Sequence, residues 1–96
     1  MSDFTKTLKK NEEKLELYVP VVARVHGGTH PEFHEVKKLY DQLMEKAKND
    51  PQADLLGEFS ALHEITDGYT VPCDVCETYE AVYQMLSELE TAYKAD

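Results

Sequence analysis

The spacing of apolar residues along the chain predicts helices throughout. In four segments the apolar side chains recur at intervals of three, four or seven residues, which places them on one face of an α-helix. No segment shows the strict alternation of apolar and polar residues that indicates a half-buried strand, and no hairpin dipeptide lies at a strand boundary. We therefore predict an all-α protein.

The first predicted helix runs from about Asp3 to Val25. Pro20 lies inside it and removes one backbone donor, so we expect either a kink or a helix that starts after a frayed N-terminus. Gly27 and Gly28 end the segment. The apolar face of this helix consists of Leu8, Leu15, Tyr18, Val22 and Val25.

The second helix is expected to begin at the segment Thr29-His-Pro-Glu32. This segment has the form of a capping box with proline in the first turn, where a missing N–H group costs little. The segment Lys48-Asn49-Asp50-Pro51 closes the helix and caps the next one. The predicted buried stripe is Phe33, Val36, Tyr40, Leu43 and Ala47.

The third predicted helix is short, from Pro51 to about Thr66, and ends at Asp67-Gly68 because glycine favours the left-handed conformation after a helix. The fourth follows Pro72 and has the most regular apolar spacing in the chain, typical of antiparallel bundle packing. The predicted buried positions are Leu55, Leu56, Phe59, Leu62 and Ile65 in the third helix and Val75, Tyr79, Val82, Leu86, Leu89 and Tyr93 in the fourth. Together the four segments predict an antiparallel up-and-down four-helix bundle.

Composition and charge narrow the class of function. The 96 residues, 42% of them hydrophobic, suffice for one domain, residues 1–96, with one core. The net charge of −9 disfavours nucleic acid and anionic lipid and favours basic partners or cations. The longest apolar stretch, Tyr18 to Ala23, is far shorter than the ~20 residues of a membrane span, and nothing resembles a signal peptide. We predict a cytoplasmic protein that binds neither nucleic acid nor membrane.

Ordinary catalytic motifs are missing from the sequence. It contains no Ser/His/Asp arrangement, no phosphate-binding glycine loop and no isolated pair of carboxylates in an apolar segment. We therefore do not expect an enzyme.

The most specific patterns lie in residues 22–33 and 65–83, with the sequences VARVHGGTHPEF and ITDGYTVPCDVCETYEAVY. They resemble the repair-of-iron-centres (RIC) family of hemerythrin-like four-helix proteins, which carry a carboxylate-bridged di-iron site and are linked to the repair of damaged iron–sulfur clusters. The resemblance covers roughly residues 18–96. It implies a shortened hemerythrin-like bundle and an accessory role in iron–sulfur cluster repair, in the response to nitrosative or oxidative stress.

Few of the family's iron ligands have a counterpart here. His26 matches one ligand, and Cys76 matches a cysteine of the second family motif, but the lone histidine ligand falls near Gln52 and the sequence has no His-x-x-x-Glu pair. A di-iron centre in this architecture uses about five histidines and two carboxylates. A family-type di-iron centre is therefore not expected in the monomer. Iron or zinc would be held at a degenerate site or between the chains of a homodimer.

Nitrogen and sulfur ligands are expected to gather at one end of the bundle. In an up-and-down bundle, the connection between the first two helices lies beside the connection between the last two. Imidazoles and thiols together are suited to zinc or ferrous iron. The candidate metal ligands are His26, His30, His34, His63, Cys73 and Cys76.

Each histidine also has an interpretation without metal. His26 would satisfy carbonyl groups at a helix end, and His30 would cap the next helix. His34 would be solvated. His63 would line the bundle interior as a hydrogen-bonded histidine.

The two cysteines leave three interpretations open. Cys73 and Cys76 would bind metal, act as a redox pair opening a helix, or pack as small apolar groups. The corresponding alternative function is an acidic helical module without metal that binds a protein partner or a second copy of itself.

Overall fold

The computed structural model describes residues 3–50 and 53–95, and these ranges contain helices and loops but no strand. The helices are α1 (Asp3–His26), α2 (Glu32–Asn49), α3 (Leu56–Ile65) and α4 (Glu77–Ala95). α1 packs mainly against α4, and α2 packs against both α1 and α3. The prediction of an all-α four-helix bundle is confirmed.

Contacts between the helices show their directions. Near the start of α1, the Nζ atom of Lys10 lies 3.3 Å from a carboxylate oxygen of Glu88, late in α4. The last residue of α1, His26, lies at the opposite end, where α4 begins. At the end of α2, Lys48 lies 3.4 Å from Glu16 of α1. Each of these two pairs of helices is therefore antiparallel.

The apolar faces of all four helices meet in one core. Burying a large apolar side chain contributes roughly 1.5–3 kcal/mol, so this core supplies most of the stabilisation that the helices lack in isolation. The side chains with no exposed surface are Leu15, Val19, Phe33, Val36, Leu43, Phe59, Leu62, Tyr79, Val82, Leu86 and Leu89.

The buried stripe of α1 differs from the prediction at its end. The stripe passes through Val19 and Val22 and continues to His26, one turn further on. Val25 lies about 80° away from this stripe on the helical wheel. It is 62% exposed instead of buried. Pro20 lies on the exposed side, and α1 continues through it as one helix.

The predicted buried positions of α3 are confirmed at Leu55, Phe59 and Leu62 but wrong at Leu56 and Ile65. The buried stripe passes through Leu55, Phe59, Leu62 and Thr66, each of which is buried. Leu56 and Ile65 are 51% and 37% exposed, because they flank this stripe by a single residue. The hydroxyl of Thr66 donates a 2.7 Å hydrogen bond to the carbonyl of Leu62. This bond satisfies the buried hydroxyl of Thr66.

Several helix boundaries in the structure differ from the predicted ones. α2 begins at Glu32, with Pro31 as N-cap and no side-chain cap bond, so the capping box at Thr29 does not form. The third helix begins at Leu56; its predicted start at Pro51, like the Gln52 position, lies outside the described residues. α4 begins at Glu77, so both cysteines precede this helix.

The connection from α3 to α4 begins with an unusual turn. Asp67, Gly68 and Tyr69 have φ angles of 53°, 70° and 62°, in the left-handed region. The N–H group of Gly68 donates a 2.8 Å hydrogen bond to the carbonyl of His63, which closes the end of α3. The helix stop predicted at Asp67-Gly68 is therefore present.

None of the described helices is both long and apolar enough to cross a membrane.

Candidate functional site

One end of the bundle gathers residues from two distant parts of the sequence. The segment that joins α1 to α2 meets the segment that leads into α4. We call this set the bundle-end cluster. Its members are His26, His30, Glu32, Asp74 and Cys76.

His26 and Cys76 are in direct contact. The Nε2 atom of His26 lies 3.2 Å from Sγ of Cys76, a hydrogen bond whose direction depends on the imidazole tautomer. The ring of His26 packs edge-on against Tyr79, with ring centroids 5.5 Å apart. His26 is the last residue of α1 and lies one turn after the buried Val22. Its ring therefore faces the residues that lead into α4. The contact thus joins a base to a thiol.

His30 links the two connections through both of its ring nitrogens. Nδ1 lies 2.9 Å from Glu32 and Nε2 lies 3.0 Å from Asp74. The hydrogen bond to Glu32 raises the pKa of His30 above its usual value; burial of the ring opposes this, and Asp74 reinforces it. Both ring nitrogens are therefore engaged by carboxylates, and the ring donates to both when it is protonated. The interpretation of His30 as a helix cap is wrong, since α2 has no side-chain cap bond.

His34 is exposed and lies against Gly27. A Cβ atom at Gly27 would overlap the imidazole of His34 and the carbonyl oxygen of Ala23. This close approach explains why glycine occupies the first position after α1. The ring of His34 therefore packs against the connection between α1 and α2.

Cys73 and Cys76 are exposed free thiols. The interpretation of both as packed apolar groups is wrong. The chain turns through Cys73 and Asp74 and bends at Val75 before α4 begins. This turn holds the cysteines outside the core, whereas the interpretation as packed apolar groups placed them in the first turn of a helix.

His63 lies apart from the bundle-end cluster. Its Nδ1 atom is 3.3 Å from Oε2 of Glu90, and its side chain is 56% exposed. Glu90 is about 20 Å along the axis of α4 from the first residue of that helix. The interpretation of His63 as an interior histidine is therefore wrong, and His63 does not gather with the other candidate ligands. His63 directly follows the buried Leu62, about 100° around the helix, so its side chain faces solvent.

Glu90 is a buried carboxylate that sequence reasoning missed. It accepts 2.8 Å hydrogen bonds from the hydroxyl of Tyr69 and from Nζ of Lys94. Burial acts to raise the pKa of Glu90, but the bonds from Lys94 and Tyr69 and the charges of Lys94 and His63 lower it below the usual value. The spacing of Glu90 and Lys94 is the only sequence signal for this network.

Aromatic rings fill the interior next to the bundle-end cluster. The hydroxyls of Tyr79 and Tyr83 lie 3.0 Å apart, and the ring of Phe33 stacks on Tyr83. Burial raises the pKa of both tyrosines. Within residues 3–50 and 53–95, no three side chains of His, Cys, Asp or Glu are grouped so as to hold one metal ion. The side chains next to His26 in the described interior are therefore aromatic rings rather than a group of metal ligands.

The chain is similar to the iron-sulfur cluster repair protein ScdA of Staphylococcus epidermidis. It is 23% identical to this protein, over 122 residues, in each of two strains. The match covers 93% of the chain and 54% of the relative, so the chain spans about half the length of the curated relatives it matches. Because the matched stretch is longer than the 96 residues of the chain, the relatives contain residues within it that this chain lacks.

No family model matches the chain. No solved structure matches it either.

Proposed function

We propose that this chain is a small hemerythrin-like accessory protein of iron–sulfur cluster repair, related to the RIC proteins. The observation that carries the proposal is the similarity to an iron-sulfur cluster repair protein along 93% of the chain. The two segments that resemble the family, around residues 22–33 and 65–83, supply both sides of the bundle-end cluster. We therefore assign the functional site to this end of the bundle. The role we propose belongs to the response to nitrosative or oxidative stress.

The protein acts without an internal di-iron centre, because Phe33, Tyr79 and Tyr83 occupy the space beside His26. Metal would instead be shared between two copies. Each chain offers one imidazole from His26 and one thiolate from Cys76. Two copies related by a two-fold axis would present two nitrogen and two sulfur ligands, a set suited to tetrahedral zinc or ferrous iron.

A titration with zinc or ferrous iron tests the shared site. We expect one metal ion per two chains and a doubling of the mass measured by light scattering. His26→Ala and Cys76→Ser should abolish both effects, whereas His63→Ala, which lies away from the cluster, should retain them. A protein that stays monomeric and free of metal would contradict the shared site.

An experiment in cells tests the role in repair. Cells that lack the gene are treated with nitric oxide, and the recovery of an enzyme with an exposed iron–sulfur cluster is followed without new protein synthesis. Recovery should be faster when the wild-type chain is restored than when the His26→Ala variant is restored. Equal recovery with and without the chain would contradict the proposal.

The second candidate function is an acidic interaction module that binds a basic partner without metal. The aromatic interior and the net charge of −9 support it. In that case His26→Ala would retain full activity in cells, and binding of the partner would weaken as salt is added.

A further inference from the structure

Two exposed thiols lie in the segment that leads into α4, and the imidazole of His26 contacts one of them. Cys73 and Cys76 are both free and exposed. The Nε2 atom of His26 lies 3.2 Å from Sγ of Cys76, close enough for the ring to accept the thiol proton. Both nitrogens of His30, in contrast, are engaged by carboxylates. Cys76 is therefore the thiol that has a base beside it.

The backbone holds Cys76 in place and carries Cys73 on the turn before it. The carbonyl of Cys76 accepts a 3.2 Å hydrogen bond from the N–H group of Glu80, which ties it to the first turn of α4. The chain turns at Cys73 and Asp74 and bends at Val75. Two cysteines separated by two residues across such a turn can reach the roughly 4.4–6.8 Å Cα separation that a disulfide requires.

We propose that Cys76, His26 and Cys73 form a dithiol site that reduces disulfides. The thiol of Cys76 passes its proton to His26, and the sulfur attacks one sulfur of the substrate disulfide. The S–S bond of the substrate breaks, a mixed disulfide forms on Cys76, and the departing thiolate takes the proton from His26.

The second step closes the cycle on the protein. The sulfur of Cys73 attacks Sγ of Cys76 and forms a Cys73–Cys76 disulfide. The second substrate sulfur leaves with the proton from Cys73. In total, two thiols of the chain are oxidised to one disulfide, and the substrate disulfide is reduced to two thiols. This activity requires no metal and no iron–sulfur cluster, so it does not rest on the proposed function.

The charge around the site favours a positively charged substrate. Asp74 and Glu77, on either side of Cys76, are exposed, and the whole chain carries a net charge of −9. Opposite charges speed the encounter of two molecules, and like charges slow it. The substrate class is therefore a disulfide flanked by basic groups.

The test uses cystamine, a small disulfide with two ammonium groups. The full chain is reduced, freed of reductant and kept with a chelator, and the products are followed by mass spectrometry. The wild type should lose two hydrogens as the internal disulfide forms, and Cys73→Ser should retain a cysteamine adduct on Cys76. Dithiodipropionate, a disulfide with two carboxylates, should react about tenfold more slowly at low salt.

Two histidine variants separate a catalytic base from a general effect on the fold. His26→Gln should slow the reaction with cystamine about tenfold, because the thiol loses its base. His63→Gln, which lies away from the bundle-end cluster, should react at the wild-type rate. Circular dichroism should show that both variants are folded. An unchanged rate in folded His26→Gln would overturn the proposal. So would a wild type that keeps the cysteamine adduct without forming the internal disulfide.

Discussion

At the scale of single residues, two buried tyrosine hydroxyls differ in their surroundings. The hydroxyl of Tyr83 lies 3.0 Å from that of Tyr79, whereas the buried hydroxyl of Tyr40 makes no hydrogen bond of good geometry among the described residues, although the carboxylate of Glu16 lies near it. Burial, followed by the negative charge of Glu16, raises the pKa of Tyr40. Removing an unpaired buried hydroxyl removes its desolvation cost, whereas removing a paired one leaves its partner unsatisfied.

We expect Tyr40→Phe to keep or raise the free energy of unfolding, by up to about 1 kcal/mol. Tyr83→Phe, the matched control on the same core, should lower it by about 1 kcal/mol. Urea unfolding of both variants gives the comparison. A large loss of stability in Tyr40→Phe would indicate that its hydroxyl bonds to Glu16 in solution.

His30 should make stability depend on pH. Its pKa is raised from 6.5 by the hydrogen bond to Glu32 and by Asp74, against the effect of burial. A raised pKa in the folded state means that the contribution is fully present below 6.5 and is lost as pH rises through the higher folded value. The urea midpoint of the wild type should therefore fall over this range, and that of His30→Gln should fall less. Parallel profiles would contradict the assignment.

At the scale of elements, Glu90 of α4 binds the connection that joins α3 to α4. Its carboxylate accepts hydrogen bonds from the hydroxyl of Tyr69 and from the ammonium group of Lys94. The backbone of Tyr69 lies in the left-handed region. Because the pKa of Glu90 is lowered from 4.5, its contribution is present above that value and is lost as pH falls through the lower folded value.

Glu90→Ala should lower the free energy of unfolding by about 1–3 kcal/mol, because the Tyr69 hydroxyl loses its acceptor. Thr91→Ala, an exposed neighbour on α4, is the control and should change little. Urea unfolding measures the loss, and hydrogen exchange should show faster opening of residues 66–72. A loss of stability without faster exchange there would contradict the binding of this connection by Glu90.

The connection between α1 and α2 depends on one of its two glycines. Gly27→Ala should lower the free energy of unfolding by about 1–3 kcal/mol, because the new methyl group would overlap the Ala23 carbonyl and the His34 ring. Gly28→Ala has open space around the new Cβ atom and should be nearly neutral. Thermal unfolding of the pair tests the difference. Equal melting temperatures would show that His34 does not pack on Gly27.

At the scale of the whole molecule, stability depends on one small core. Leu86→Asp should unfold the protein, since an unpaired charge at a fully buried position costs several kcal/mol out of a total of about 5–15 kcal/mol. Thr91→Asp places the same charge on the exposed side of α4 and should leave the fold intact. Circular dichroism and melting distinguish them. A wild-type melting curve for Leu86→Asp would contradict its burial.

The sequence by itself determined the helical class, the number of helices and the position of most connections. These features depend on local spacing: apolar residues at helical intervals, and glycine or proline between the helical segments. The same spacing identified Phe33, Val36, Tyr40 and Leu43 as buried, because α2 has one clear apolar stripe. It also led us to expect His26 and Cys76 at the same end of the bundle.

Only the tertiary structure decided which of two adjacent side chains faces the core and which polar groups meet. Local spacing could not choose between Leu55 and Leu56, and it gave no sign that Glu90 is buried. The choice depends on how each helix rotates against its neighbours. The contact between His26 and Cys76 joins residues 50 positions apart. Such contacts form through the packing of whole helices, whose balance of buried surface and satisfied polar groups is a property of the assembled bundle.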